Sequence, residues 1–102
     1  MKIKLGEVLK AFDDTAIVGF DSKPLTVGKA IANILIAPRQ GGAYEMDKIK
    51  LYILAQKCYN DKEIDMDESD LAKVKKMVET DANYGPLVTG KILLILEEQK
   101  AK

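Results

Sequence analysis

Gly85 to Ile92, GPLVTGKI, carries the spacing of a phosphate-binding loop, G-x-x-x-x-G-K. In such a loop glycine-rich backbone wraps phosphates with N–H groups. The lysine reaches the terminal phosphates, and a following Ser or Thr holds magnesium. Here Ile92 stands at the magnesium-ligand position, and Pro86 removes an N–H where donors are needed. The residues before it, KKMVETDANY, are polar and helical in pattern, whereas the loop should follow a buried strand. The stretch therefore predicts a helix starting at Pro86, with Gly90 permitting close helix packing. No nucleotide or other cofactor is expected.

A second candidate is DKEIDMDESD, Asp61 to Asp70, with six acids in ten residues. A calcium loop needs ligands at alternating positions, Gly at the sixth and Glu at the twelfth. Counted from Asp61 those places hold Met66 and Ala72; counted from Asp65 they hold Asp70 and Lys76. Both registers fail, and no metal site is expected. The acids predict a solvated extended rung followed by a helix cap. Asp61, Glu63 and Asp65 also offer an acidic patch to a basic partner.

Other chemistry is scarce. The chain has no histidine and one cysteine, which excludes zinc sites and Cys–His or Ser–His–Asp arrangements. Glu97 and Glu98 sit where a helix end should fray, without a pocket signal, so a catalytic carboxylate pair is not expected. Cys58 lies among apolar residues and predicts a buried, unreactive thiol. Together these features predict a protein that is not an enzyme.

The elements that would carry these residues follow from periodicity. Residues 1–12 fit a short strand and then a turn or two of helix, through Leu5, Val8, Leu9 and Phe12. Thr15 to Phe20, then DSKP, then Pro24 and Leu25 suggest a hairpin. Thr26 caps a helix to Ala37, with Val27, Ala30, Ile31, Ile34 and Leu35 on one face and Pro38 ending it. PRQGG, Pro38 to Gly42, is a loop with Arg39 as a candidate anchor for a partner. A second helix runs from about Tyr44 to Tyr59. Its two apolar stripes, Met46/Ile49/Ile53/Leu54 and Tyr52/Ala55/Tyr59, suggest a central helix with neighbours on both sides. Asp67 caps a third helix, with Asp70 in a capping-box role, continuing through Leu71, Val74, Met77 and Val78. The fourth runs from Pro86 to Gln99. No internal repeat or dividing linker is evident. The expected fold is mainly α: four helices in one domain over residues 1–102, with a minor hairpin or short strands near the N-terminus.

Hydrophobic residues make up 47 % and charged residues 31 % of the 102 residues, as in an ordinary globular domain. The longest apolar run, Ile92 to Leu96, is far short of the ~20 residues of a membrane span. Met1 to Lys10 lacks the apolar core of a signal peptide, and with a lone cysteine a cytoplasmic setting is expected. Net charge is zero, and Arg39 is the sole arginine. A basic, Arg-bearing stripe for nucleic acid is therefore missing. A degenerate helix-turn-helix over Asp67–Val78 and Pro86–Gln99, serving a DNA-binding transcriptional regulator, is the alternative. Its connection is long, and its second helix offers Leu, Val and Ile where base-reading polar residues belong.

Three stretches, DSKPLTVGKAIANILIAP, KLYILAQKCYNDKEIDMDESDLAKVKKMVE and GPLVTGKILLILEE, resemble in order and pattern a functionally uncharacterised family of small phage and prophage helical proteins. The resemblance covers about residues 20 to 98 and carries no catalytic motif. It implies a protein that works by binding others, as an assembly factor or an inhibitor of host machinery. The expected function is thus a protein–protein interaction module, self-associating or bound to a host or phage protein. Apolar excess on the second and last helices points to Tyr52, Tyr59, Tyr84, Leu94 and Met77 as exposed contact residues. With Arg39, Asp61, Glu63 and Asp65, all of these except Met77 form the candidate partner-binding set.

Overall fold

The computed structural model describes residues 2–19, 22–38, 46–81 and 83–100. Among them run β1 (Lys2–Lys4), α1 (Val27–Ile36), α2 (Lys48–Asn60), β2 (Glu63–Asp65), α3 (Glu68–Glu79) and α4 (Pro86–Lys100). The architecture is mainly α, as composition and periodicity suggest, with one short strand at the N-terminus paired to another between α2 and α3. The Cα radius of gyration of 12.8 Å is that of one compact chain of this length, about 13 Å.

Local caps set the helix starts. Thr26 Oγ1 accepts from the Lys29 amide at 3.2 Å, and Asp67 Oδ1 accepts from the Asp70 amide at 2.7 Å. Asp47 Oδ1 does the same for the Lys50 amide at 2.9 Å, so α2 starts after Asp47. Tyr44 and the loop from Arg39 on lie outside the described residues. Asp70 serves less as a capping-box partner than as a bridge: its carboxylate meets Lys50 Nζ at 2.9 Å, joining α3 to α2.

The central helix is α1, where the pattern had suggested α2. It packs against α2, α3 and α4, and seven of its ten residues are buried. The face α2 turns inward is Leu51, Ala55 and Cys58, while Ile49, Tyr52 and Ile53 are exposed. The reason is the close crossing at Gly28. A Cβ there would collide with the Cys58 carbonyl oxygen and come within 3.1 Å of Leu5 Cβ. At this crossing α2 presents the small Ala55 and Cys58, with Leu51 packed a turn earlier, while Ile49, Tyr52 and Ile53 lie on the outer side.

Residues 5–19 and 22–27 form a paired mesh, and the expected helical turn near residues 5–12 is absent. β1 pairs antiparallel with β2, placing Ile3 opposite Ile64, both buried. Single bridges then link Val8 with Thr26, Lys10 with Ala16 and Val18 with Pro24. Three backbone hydrogen bonds close a ring: Leu9 donates to Leu25, Leu25 to Ile17, and Ile17 to Leu9, at 2.8, 2.7 and 2.9 Å. These three apolar residues are spaced by eight. The same step of eight separates LKAFDDTA (9–16) from IVGFDSKP (17–24), a weak internal repeat that was not expected and that shares only Phe and Asp at its fourth and fifth positions. Its turns repeat too. The Asp14 amide donates to Ala11 and the Ala11 amide to Thr15, just as Ser22 donates to Gly19 and Gly19 to Lys23. Asp14 (φ 66°) and Ser22 (φ 63°) share the left-handed position of a three-residue hairpin loop.

Candidate functional site

The GPLVTGK spacing lies along a helix. Gly85 precedes α4, its carbonyl accepts from the Val88 and Thr89 amides, and Gly90 and Lys91 are helical. Amides that a phosphate loop would turn toward an anion are thus spent inside the helix. Gly90 does not serve close packing either, because a Cβ there would meet nothing within 4 Å.

That open space is part of a groove. Helix α4 carries two apolar stripes. Val88, Ile92, Ile95 and Leu96 are buried in the core. Leu87, Gly90, Lys91 and Leu94, at i, i+3, i+4 and i+7, share another face and line a groove of about 950 Å³. The opposite wall comes from the first repeat and the residue before it, with Val8, Ala11 and Phe12. Phe12 stands at the tip of its turn, 98 % exposed, and Leu94 is 59 % exposed. Aromatic side chains normally bury 150–250 Å² each, so an almost wholly solvated Phe beside a cleft marks a contact surface.

The rim is electrically balanced. Glu7 and Asp14 stand with Lys10 and Lys91, and Lys91 Nζ lies 4.0 Å from Glu7 Oε2. The Phe12 turn is held from within: Asp13 Oδ1 accepts from the Thr15 hydroxyl at 2.7 Å and its amide at 3.1 Å. Those two donors lower the Asp13 pKa below the usual carboxylate value, the hydroxyl contributing most.

The expected contact residues do not gather at one place. Leu94 lines the groove. Tyr52 (64 % exposed) and Tyr59 stand on the outer face of α2, with Ile49 and Ile53. There the seam between α1 and α2 holds a shallow hollow of about 230 Å³ beside Ile36, Tyr52 and Tyr59, and Lys29 Nζ sits 5.7 Å from the Tyr59 ring centre. Asp61, Glu63 and Asp65 are exposed, but the acidic patch is compensated, since the β1·β2 register sets Lys4 opposite Glu63 and Lys2 opposite Asp65. Tyr84 is half-buried; its hydroxyl accepts from Asn33 Nδ2 at 2.9 Å, and burial raises its pKa. Met77 is fully buried, contrary to the expectation that it is left outside. Arg39 lies outside the described residues.

Other chemistry is not gathered anywhere. Among the described residues no group of three or more His, Cys, Asp or Glu is placed to hold a metal ion. Burial pushes the Cys58 thiol up to about 12, with a smaller contribution from Asp61, so it stays protonated near neutral pH. Glu97 is exposed and pairs with Lys75 of α3. Among the described residues no helix is long and apolar enough to cross a membrane.

Of the groove residues only Leu94 was expected as a contact; Phe12, Val8 and Ala11 on one wall and Leu87 and Gly90 on the other were not. For Phe12 the sequence does hold a signal, since a Phe recurs eight residues on, at position 20. Comparison with known proteins returns no match: no family model fits the chain, and no curated protein or solved structure is significantly similar.

Proposed function

We propose that the chain is a non-enzymatic protein-interaction module that engages its partner through the groove between the first repeat and α4. The observation that carries this is Phe12, almost wholly solvated at the rim of an apolar cleft floored by Gly90 and walled by Leu87 and Leu94. An exposed aromatic beside a preformed hollow is the arrangement of an interface anchor. The lack of histidine, the protonated Cys58 and the scattered carboxylates support a binding role over catalysis. The resemblance to small phage and prophage proteins supports an assembly factor or an inhibitor of a host protein. A cytoplasmic setting suits the reduced thiol.

The test is affinity capture from cells carrying the native host, using the wild-type chain and Leu94→Glu. Leu94 is exposed, so the charge leaves the core intact. A contact module loses its captured species in the variant while the melting temperature is unchanged. Binding that instead follows added DNA and falls steeply with salt favours a transcriptional regulator. Capture unaffected by Leu94→Glu overturns the groove as the site.

A further inference from the structure

We infer that the groove docks a second copy of this chain, through a two-fold contact in which Phe12 of each copy enters the cleft over Gly90 of the other. The inference rests on the interaction module proposed above and names its partner.

Two features point to self-association. A two-fold interface uses the same patch on both copies, so that patch must hold both a projection and a recess. This one does. Phe12 projects, and beside it the missing side chain of Gly90 leaves open space within 4 Å. The charges agree. The groove carries two carboxylates, Glu7 and Asp14, and two lysines, Lys10 and Lys91. A neutral patch with both signs meets its own copy without net repulsion. A strongly acidic or basic partner gains nothing from it. The outer face of α2 offers large apolar residues too, but the two hollows beside them, of about 220 and 230 Å³, are each far smaller than this groove.

The eleven residues lining the groove are fewer than the roughly 20–30 per side of a standard interface. The dimer is therefore expected to be weak and concentration-dependent.

Sedimentation equilibrium between about 5 and 500 µM, bracketing the affinities of small interfaces, reads this directly. Two variants isolate the contact without endangering the fold. Phe12→Ala removes a side chain that touches almost nothing within its own copy. Gly90→Trp fills open space on a helix. Each removes both symmetry-related contacts and weakens dimerisation by more than about 30-fold, the figure for losing a single anchor of hot-spot size. Mixing them is decisive. Phe12→Ala keeps its recess and Gly90→Trp keeps its Phe12, so the mixture regains one of the two contacts and associates more tightly than either variant alone.

A wild-type chain that stays monomeric throughout overturns the self-docking. So does a dimer indifferent to Phe12→Ala, or a mixture no tighter than its components. A monomer that still loses a captured partner on Leu94→Glu leaves the interaction module standing and overturns only the second copy as its occupant.

Discussion

Two helical glycines divide the molecule into opposite kinds of surface. At Gly28 the missing side chain is filled by a neighbour: the Cys58 carbonyl of α2 and Leu5 of the N-terminal segment occupy the space a Cβ would need. The Gly28 amide also donates to the Leu5 carbonyl at 3.0 Å. At Gly90 the same absence is left empty, facing solvent across the groove from Phe12. One glycine allows three elements to meet; the other keeps a hollow open at the expense of helix propensity. A residue that weakens its own helix without improving the core is better explained by what the hollow admits.

The largest effect expected from this contrast is at the closed position. Gly28→Ala forces α1 and α2 apart, because the obstacle is backbone and cannot rotate aside. The expected loss is about 3 kcal/mol, at the upper end of overpacking penalties, with a melting point lowered by ~4–8 °C per kcal/mol. Cys58 supplies an independent reading. It is buried and protonated in the native chain, so thiol reagents should modify it only through opening. In Gly28→Ala its labelling should accelerate well before global unfolding. An unchanged melting point with unchanged labelling would show that the crossing is looser than described.

At the open position the sign reverses. Gly90→Ala adds a methyl group where nothing stands within 4 Å and removes a poor helix former from α4. Chemical denaturation should show a gain of about 1 kcal/mol. A loss there would mean that Gly90 is tightly packed after all, and the contrast between the two glycines would fail.

The same contrast explains what could be seen in the chain before its structure. Three of the four helix starts were legible because caps are local: Thr26 and Asp67 each satisfy an amide three residues on, and Pro86 suits a first helical turn, whereas the second helix, expected from about Tyr44, begins at Lys48 behind an unforeseen Asp47 cap. The rung of Ile64 and Met66 was legible as alternation, and both are buried. The orientation of α2 was not. Periodicity weighs large apolar residues, so Ile49 and Ile53 looked like core, yet the tight crossing selected Ala55 and Cys58. Nor could the groove be read as a place, since Phe12 and Leu94 meet only through the pairing of distant segments. Half of it was visible: Leu87 and Leu94 lie seven apart, a second stripe on a helix whose first stripe was already enough to fill the core. The repeat behind its other wall keeps only a Phe–Asp pair unchanged in sequence, which makes it easy to overlook.

The smallest effects belong to those repeated turns. Asp14 and Ser22 hold the left-handed conformation that glycine adopts without strain, at the same step of two hairpin loops. Aspartate tolerates that conformation better than most side chains, because its short carboxylate can bond locally, whereas serine has weaker compensation. Ser22→Gly should therefore stabilise the chain by up to about 1 kcal/mol, and Asp14→Gly by roughly half as much. Both changes leave the turn hydrogen bonds from Asp14 to Ala11 and from Ser22 to Gly19 in place, since only side chains are removed. Paired denaturant titrations resolve the order. A larger gain at Asp14 than at Ser22, or a loss at either, would mean that the two turns are held by their side chains rather than by their backbone, and that the eight-residue repeat is one of sequence without shared mechanics.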